Sequence, residues 1–489
     1  MKPITDITSA SPRPSENQEG YYMTRKVDVA ILGSGSAGVT AMTSLLRAGK
    51  SVVLINSGPE GTTCARVGCM PSKALIEAAN VYHEKTRMEM LGLNGAEGLS
   101  VDGQAVMGRV RALRDFLVNR FITGYHQKID DSQFIAGHGR IVAPDCVEVN
   151  GERIQAGVII IATGSSPILP PAFRALGDAL LTTDTLFEEP DLPKSLAVVG
   201  LGAIGCEIGL AMARLGVEVH GFDAAPVVAG IKDPVIAEKV LELFGKEMEI
   251  TTGTAVEPRL EADGRVTIEA GDRSVTVDRV LASIGRRPNI TDLGLENLGV
   301  ELDARGMPPF DPETLQIGDL PVYIVGDANG VRPLLHDSIE EGKIAVANIL
   351  AGHPVPFRRR VPLAIAFTGP QVVAVGAQLD KLDPETIAIG TGAAMNNGRS
   401  HVRAETEGLV RLYADKASGR VLGAALAIGD AEHLGHWLAL AIERGLSVAE
   451  CLAAPYYHPV LEETLQMALQ DCLTHCEGTL PFPPGLTPA

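Results

Sequence analysis

A strand, a glycine-rich turn, a helix and a second strand follow one another twice in this chain, and no other feature limits its fold as strongly. In the first copy an apolar segment, 27–32, runs into the turn GSGSAG with Gly33, Gly35 and Gly38, then a helical segment and a second apolar segment, 52–55. A G-x-G-x-x-G turn between strand and helix is typical of a dinucleotide-binding unit. Its glycines permit a tight turn, close approach of backbone to a pyrophosphate, and close packing of the helix.

The second copy begins at residue 196 with LAVV and continues into the turn GLGAIG, which contains Gly200, Gly202 and Gly205. From Gly33 to the residue that ends the second strand, Asn56, the interval is 23 residues, and the same interval separates Gly200 from Asp223. The repeat therefore predicts two dinucleotide sites, each with its phosphates at a helix N-terminus.

The two copies differ at the residue that ends the second strand. Asp223 is an acid that can bind both ribose hydroxyls and repel a 2′-phosphate, and its neighbours Ala224 and Ala225 offer no arginine for such a phosphate. We therefore expect NAD rather than NADP in the second site. Asn56 has no charge, so the ribose contact in the first site is expected to be weaker or differently arranged.

Two cysteines, Cys64 and Cys69, are separated by four residues and precede a segment rich in helix formers that follows Pro71. As a structural staple a bridge across so short a loop would contribute only about 2 kcal/mol. Two unbridged buried thiols are the other structural reading. The two dinucleotide sites favour a redox-active pair.

Later segments predict the remaining organisation. The strand 158–161 ends in Ala-Thr-Gly, where the chain can cross between domains, and residues 283–289 close the inserted unit. A further strand ends in Gly-Asp327, an acid that can meet a hydroxyl of the first cofactor. From about residue 355, short strands, turns and two helices, 431–443 and 461–473, indicate a separate α+β domain.

A histidine lies near the end of the chain, just before a helix with two acids in its first turn. His458 is followed by Glu462 and Glu463. A carboxylate beside an imidazole fixes its tautomer and raises its basicity, as in acid/base dyads. A lone histidine before a proline is usually only a loop residue, but a redox-active thiol pair needs a proton partner.

Composition narrows the class of protein. The 489 residues suggest roughly three domains, and a formal charge of −18 argues against a nucleic-acid surface. Seven cysteines without even spacing favour a reducing, cytoplasmic compartment. Residues 1–24 lack an apolar core and fit neither a signal peptide nor a membrane anchor. Prolines, glycine and polar residues divide 361–379 into strand, turn and strand.

From residue 27 onward the chain resembles the class I pyridine nucleotide-disulfide oxidoreductases, which are flavoproteins, and within them most closely the dihydrolipoyl dehydrogenases. The resemblance rests on nine segments in the family's order: GSGSAG, TCARVGCMPSK, ATGS, GLGAIGCEIG, IGRRPN, VYIVGDA, LLHDSIEEG, FTGPQVVAVG and YHPVLEE. It implies an α/β fold with two Rossmann-like domains and a C-terminal α+β dimerisation domain. The implied ranges are a mobile extension (1–24), an FAD-binding domain (25–165 and 290–354), an inserted NAD-binding domain (166–289) and a dimerisation domain (355–489).

The resemblance also implies a role for each matching residue. Cys64 matches the interchange thiol and Cys69 the thiol beside the flavin, while Lys73 lies near the flavin and pairs with Glu207. His458, oriented by Glu463, matches an acid/base that reaches the cysteines of the other subunit of a homodimer. The implied FAD contacts are Gly33, Gly35, Gly38, Asn56, Thr63, Lys73, Gly139, Thr163, Gly164, Asp327 and His336. The implied NAD contacts are Gly200, Gly202, Gly205, Glu207, Asp223 and Gly285.

The implied reaction oxidises dihydrolipoamide, free or on a lipoylated carrier protein of a 2-oxo acid dehydrogenase-type complex, and reduces NAD⁺; no metal is expected. Four departures from the family pattern lie beside the expected substrate channel and leave the disulfide substrate open: Thr62, Tyr456, Val460 and Glu462.

The alternatives are a glutathione-type reductase, which Asp223 disfavours, and a mercuric reductase, which would use a vicinal cysteine pair where this chain has Cys472 and Cys476. A transhydrogenase or single-thiol reductase would lack one active-site cysteine. A non-catalytic redox-sensing flavoprotein is the alternative from another class.

Overall fold

The computed structural model describes residues 24–477. The predicted mobile extension therefore lies, except for residue 24, outside the described residues, as do residues 478–489. No helix within 24–477 is both long and apolar enough to cross a lipid bilayer.

The strands and helices are numbered along the chain. The strands are β1 (Thr24–Leu32), β2 (Val52–Asn56), β3 (Phe134–Ala136), β4 (Arg140–Ala143), β5 (Cys146–Val149), β6 (Glu152–Ile161), β7 (Ser165–Pro167), β8 (Leu180–Leu181), β9 (Ser195–Val199), β10 (Glu218–Asp223), β11 (Glu249–Thr252), β12 (Glu257–Leu260), β13 (Val266–Ala270), β14 (Arg273–Val277), β15 (Arg279–Ala282), β16 (Arg286–Pro288), β17 (Val322–Ile324), β18 (Leu363–Ala366), β19 (Gln371–Gly376), β20 (Ile387–Ala393), β21 (Leu409–Asp415) and β22 (Val421–Ile428). The helices are α1 (Ser36–Arg47), α2 (Thr63–Val67), α3 (Cys69–His83), α4 (Lys85–Met88), α5 (Gly103–His126), α6 (Pro171–Arg174), α7 (Thr183–Leu186), α8 (Ala203–Arg214), α9 (Pro234–Phe244), α10 (Leu335–Ala351), α11 (Gly398–Val402), α12 (Ala431–Glu443), α13 (Val448–Leu452) and α14 (Glu462–Thr474).

Two sheets contain the repeated units. In the first, β1 lies between β2 and β6 and is parallel to both, and β17 joins β6 in parallel after a long excursion of the chain. That excursion contains the second sheet, which is parallel and has the order β11-β10-β9-β15-β8. Buried on both faces, such strands need continuous apolar runs, and Val29, Ala30 and Ile31 are fully buried. The chain order agrees with an inserted domain, whose boundaries remain a prediction.

The third large sheet is antiparallel, with the order β18-β19-β22-β21-β20, and it supports the C-terminal helix. Helix α14 packs directly on β20, where a Cβ at Gly390 would lie 2.0 Å from the Ala468 carbonyl oxygen. The side-chain amide of Asn397 donates to the Thr464 hydroxyl at 2.8 Å and to the Val460 carbonyl at 3.1 Å. The start of α14, with Glu463 in its first turn, is thereby fixed.

Most predicted elements are confirmed: 431–443 is helical as predicted, and 361–379 forms strand, turn and strand. The helix expected at Pro71 begins two residues earlier, at Cys69, and a short helix that the sequence pattern did not predict, α2, precedes it. The reason is local capping. The Thr62 hydroxyl accepts a hydrogen bond from the Ala65 backbone N–H at 3.0 Å, so helical structure starts before the first cysteine.

Candidate active site

The first glycine-rich turn joins β1 to α1 with very close backbone packing. Gly33 has a φ of +109°, and a Cβ there would lie 2.3 Å from the Ala162 carbonyl oxygen. A Cβ at Gly38 would lie 2.0 Å from the Gly33 carbonyl oxygen. Gly35 differs, because a Cβ there would meet its nearest atom only at 4.0 Å. The first and third glycines are thus needed by the fold, whereas the second leaves open space at the N-terminus of α1.

Two cavities meet at this turn. One, of about 250 Å³, is lined by four of the predicted residues: Gly33, Asn56, Gly139 and Thr163. The other, of about 270 Å³, is lined by eight: Gly35, Thr63, Cys64, Cys69, Lys73, Gly164, Glu207 and Asp327. The open side of Gly35, the helix N-terminus and a cavity on either side fit a dinucleotide whose pyrophosphate lies against the turn.

Cys64 lies in α2 and Cys69 begins α3, with Gly68 between the two helices. No disulfide bond joins the two cysteines in this structure, and their side chains hydrogen bond to each other. A Cβ at Gly68 would lie 3.2 Å from the Cys64 Cα, so a larger residue would disturb this approach. The redox pair inferred from spacing therefore has its two thiols in contact within the second cavity.

The two thiols have unequal acidity. The hydrogen bond from Cys64 lowers the pKa of Cys69 to about 7, and the ammonium of Lys73 also lowers it, while burial and Glu207 oppose the shift. The same hydrogen bond, together with burial, raises the pKa of Cys64. When the pair loses one proton, the thiolate therefore forms on Cys69, with the Cys64 thiol as hydrogen-bond donor.

Lys73 and Glu207 form the expected ion pair, with Nζ 2.8 Å from Oε2 and only 6% of the Glu207 side chain exposed. The other carboxylate oxygen of Glu207 accepts the Phe367 backbone N–H at 2.9 Å. Lys73 Nζ also lies 4.5 Å from the centre of the Phe367 ring, a cation–π contact. Phe367 was not predicted as a site residue, although it begins the recognised FTGPQVVAVG segment; it reaches the site from the loop after β18.

Asp327 lies in the same cavity and is held by hydroxyl groups. Ser165 Oγ donates to Asp327 Oδ2 at 2.7 Å, and Ser338 Oγ to Oδ1 at 3.4 Å. Arg286 in turn donates to Ser165 Oγ at 2.8 Å and lines the cavity. Ser165 and Arg286 were not predicted as site residues, although both lie within the recognised ATGS and IGRRPN segments.

His458 and Glu463 form the expected dyad, with Nδ1 2.9 Å from Oε1. Glu463 also accepts the Val460 backbone N–H at 3.1 Å, and the bonds from His458 and Val460 hold the pKa of Glu463 below its usual value. The imidazole is 77% exposed and is not among the residues that line either cavity. Within one chain, therefore, this dyad is not at the cysteines.

The second glycine-rich turn repeats the geometry of the first. Gly200 has a φ of +95°, and a Cβ there would lie 2.5 Å from the Ser283 carbonyl oxygen, whereas a Cβ at Gly202 would have nothing within 4 Å. Asp223 Oδ2 accepts the Leu201 backbone N–H at 2.6 Å. In the first unit Asn56 Oδ1 accepts the corresponding N–H, that of Ser34, at 3.2 Å.

Some residues singled out from sequence lie outside the two cavities. His336 is 58% exposed and close to Asp337, and Gly285 has a φ of +109°. Cys472 is buried at the C-terminal end of α14, and burial raises its pKa to about 12. Cys476 lies close by and donates to the Cys472 carbonyl at 3.4 Å. Such weakly acidic thiols fit packing better than exchange chemistry.

Two family models match this chain. Residues 27–347 match the model described as pyridine nucleotide-disulphide oxidoreductase, and residues 362–469 match the dimerisation domain of that family. The chain belongs to the pyridine nucleotide-disulphide oxidoreductases. Membership implies FAD and a pyridine nucleotide as cofactors, and the dimerisation domain supports a homodimer.

Two curated relatives span almost the whole chain. The dihydrolipoyl dehydrogenase of Thermus scotoductus is 31% identical over 458 residues, which cover 91% of this chain and 96% of the relative. That of Trypanosoma brucei brucei is 30% identical over 467 residues, with the same two coverages of 91% and 96%. The family assignment thus extends to relatives of full length.

Two solved structures share the fold. The HOCl-induced flavoprotein disulfide reductase RclA from Escherichia coli, in its Cu(II) complex, has a TM-score of 0.80 at 23% identity and covers 91% of this chain and 99% of its own. LpdA from Mycobacterium tuberculosis has a TM-score of 0.80 at 24% identity, with the same coverages of 91% and 99%. These likenesses confirm the α/β fold class with its C-terminal dimerisation domain.

Proposed function

We propose that this protein is an NAD-dependent dithiol oxidoreductase that oxidises dihydrolipoamide, free or on a lipoylated carrier protein. The observation that carries the proposal is the contact of Cys64 with Cys69 inside the cavity that also contains Lys73, Glu207 and Asp327. When bound, FAD supplies the acceptance of an electron pair and its delivery as hydride to the nicotinamide. The residues of the chain supply thiol exchange, proton transfer and binding.

Thiol exchange starts from the Cys64–Cys69 disulfide. A substrate thiolate attacks Cys64 Sγ, which forms a mixed disulfide and releases Cys69 as thiolate. The second substrate thiolate then attacks the substrate sulfur of the mixed disulfide, so the cyclic substrate disulfide leaves and Cys64 is released. The two electrons of the substrate dithiol now reside on the cysteine pair. The ammonium of Lys73 stabilises the thiolate when it is released, and the Cys64 thiol donates a hydrogen bond to it once Cys64 is free and protonated.

His458 serves as the proton acceptor for the substrate thiols. Its Nδ1–H is directed to the Glu463 carboxylate, which leaves Nε2 as the basic nitrogen. The high exposure of the imidazole suits a group that acts outside its own chain. In the homodimer that the dimerisation domain supports, His458 of one subunit then serves the cysteines of the other.

Nucleotide choice rests on Asp223. Its carboxylate ends β10 beside the second glycine-rich turn, where a 2′-phosphate would meet a negative charge. Ala224 and Ala225 offer no cationic partner for that phosphate. We expect NAD to be strongly preferred over NADP.

The deciding experiment measures NAD⁺ reduction by the purified, flavin-loaded homodimer. Dihydrolipoamide, reduced glutathione and reduced coenzyme A are compared at equal thiol concentration, and NADP⁺ replaces NAD⁺ in a parallel series. The proposal predicts that dihydrolipoamide gives the highest kcat/KM and that NADP⁺ is a poor acceptor. A higher kcat/KM with glutathione or coenzyme A would refute the substrate, and a preference for NADP⁺ would refute the role of Asp223.

The proton acceptor is tested separately by His458→Ala. Loss of a general base typically costs 10²–10⁴-fold, so dihydrolipoamide turnover should fall by at least about 100-fold. Transfer from NADH to a dye does not need the thiols and should be retained. His475→Ala is the matched control, because His475 faces Asp471 at the other end of α14, with Nε2 3.7 Å from Oδ1. Equal losses of both activities in His458→Ala would mean that this histidine is structural.

A further inference from the structure

We infer that Arg214 is a positioning residue for the redox pair, which it serves by fixing helix α3 to helix α8 and to the 367–369 loop. This inference rests on the function proposed for Cys64 and Cys69. Arg214 touches neither cysteine. It acts through the helix that begins at Cys69 and contains Lys73.

Two polar pairs join α3 to α8 with the same offset along the chain. Lys73 binds Glu207 at 2.8 Å, and Asn80 Oδ1 accepts a hydrogen bond from Arg214 Nη1 at 2.6 Å. In each pair the partners are 134 residues apart, so the helices run in the same direction along their contact. The members of each helix are seven residues, or two turns, apart and therefore share one face. Arg214 thus forms the second of two parallel cross-links.

The 367–369 loop is attached to both cross-links. The Phe367 N–H donates to Glu207 Oε1 at 2.9 Å, and the Gly369 carbonyl accepts from Arg214 Nη2 at 2.5 Å. A Cβ at Gly369 would lie only 2.4 Å from Arg214 Nη1, so the guanidinium packs against a bare backbone. One end of this loop, Phe367, therefore contacts Glu207 and Lys73, and the other end, Gly369, contacts Arg214.

The Arg214 side chain is only 6% exposed, and each of its nitrogens has a partner. Nε and Nη2 donate to the two oxygens of Glu247, each at 2.7 Å, which leaves Nη1 directed to Asn80. A planar fork with five donors can make these bonds to three separate segments at once, whereas an ammonium cannot match their directions. The hydrogen-bond partners around residue 214 therefore require the guanidinium group of an arginine, and another positively charged group would not satisfy them.

The position of Lys73 has a chemical consequence. Lys73 lowers the pKa of Cys69 and Glu207 raises it, so the balance depends on where the first turn of α3 lies relative to α8. When the hydrogen bond between Asn80 and Arg214 is lost, α3 can tilt about the Lys73–Glu207 ion pair. The Lys73 ammonium then moves relative to the Cys69 sulfur. The stability of the thiolate should then change although no group that touches it has been altered.

The experiment titrates the long-wavelength thiolate-to-flavin absorbance of the reduced holoenzyme against pH. Wild type should gain this band as the pH rises and the Cys69 thiol ionises, since the hydrogen bond from Cys64 and the ammonium of Lys73 lower the pKa of Cys69. Arg214→Lys keeps the positive charge but loses the guanidinium group that makes these hydrogen bonds. Asn80→Ala removes only the hydrogen bond between Arg214 and α3. We expect both to raise the midpoint by about one unit, within the range that displacement of a nearby charge produces. Dithiol turnover near neutral pH should fall with the band.

Arg411→Met is the matched control, because Arg411 also joins the second sheet's domain to the C-terminal sheet, through Asp233 at 2.8 Å, without touching α3. Its midpoint should equal that of wild type even if its melting temperature falls. Unchanged midpoints in folded Arg214→Lys and Asn80→Ala would overturn the inference, and Asn80→Ala alone decides if Arg214→Lys does not fold. Cys69→Ser tests the underlying function independently: a band that persists in it would refute the role of Cys69.

Discussion

The two glycine-rich units have nearly the same backbone but different chemistry at the end of their second strands. The turn at Gly33 and the turn at Gly200 both need a positive φ and both approach a backbone carbonyl, at 2.3 and 2.5 Å from the position of a Cβ. In both units the strand-end side chain accepts the N–H of the residue after the first glycine. The accepting group is a neutral amide in one unit and a carboxylate in the other.

This difference separates two tasks that one motif performs. The shape of the turn, which is common to both units, accommodates a pyrophosphate of any dinucleotide. In the function proposed above, the strand-end residue distinguishes between dinucleotides, because only a carboxylate, at Asp223, would repel a 2′-phosphate. FAD has no such phosphate to exclude, so the first unit has less need of a charge at Asn56.

The largest expected effect comes from filling the open space at the second glycine of either turn. Gly35→Ala and Gly202→Ala place a methyl group where the protein has room, 4.0 Å from the nearest atom at Gly35 and with nothing within 4 Å at Gly202. Overpacking against the pyrophosphate should weaken binding by about 100-fold. Gly35→Ala should be purified without flavin, whereas Gly202→Ala should retain flavin and have a raised KM for NADH. Absorbance at the flavin maximum and steady-state kinetics check these outcomes.

Gly108→Ala is the control, since Gly108 lies within α5 with open space around it and lines neither of the two cavities. It should leave the flavin content and the KM for NADH unchanged. The comparison of the two units fails if Gly35→Ala keeps its flavin, or if Gly202→Ala loses flavin rather than NADH affinity.

A smaller effect is expected when the second unit is given the amide of the first. Asp223→Asn keeps an acceptor for the Leu201 N–H but removes the charge. A hydrogen bond to a charged group is worth roughly 1 kcal/mol more than one to a neutral group, so the preference for NADH over NADPH should fall by about fivefold. The ratio of kcat/KM for the two nucleotides measures this change. An unchanged ratio would show that the charge does not select the nucleotide, and a loss of flavin would contradict the assignment of flavin to the first unit.

The sequence predicts the features of this molecule that depend on residues close together in the chain. The glycine turns, the strand ends at Asn56 and Asp223, and helix α12 follow from residues within one unit of structure. Helix α2 was missed because its start depends on a single cap from Thr62 rather than on an apolar period. Phe367 and the contacts of Arg214 could not be predicted from local pattern, since Arg214 meets Asn80 and Gly369 across 134 and 155 residues.

The smallest effect is expected when the first unit is given the carboxylate of the second. Asn56→Asp should strengthen the bond to the Ser34 N–H and offer a charge to the ribose of FAD. It also loses the bond from Asn56 Nδ2 to the Gly58 carbonyl, 3.2 Å long, and sets two acceptors against each other there. The two changes partly cancel, so FAD affinity should rise only about threefold, or roughly 0.6 kcal/mol. Fluorescence titration of the apoprotein with FAD measures it, with Asp223→Asn as the control that should bind FAD like wild type. A gain of tenfold or more would mean that the amide limits flavin binding, and weaker binding would mean that the Gly58 contact outweighs the charge.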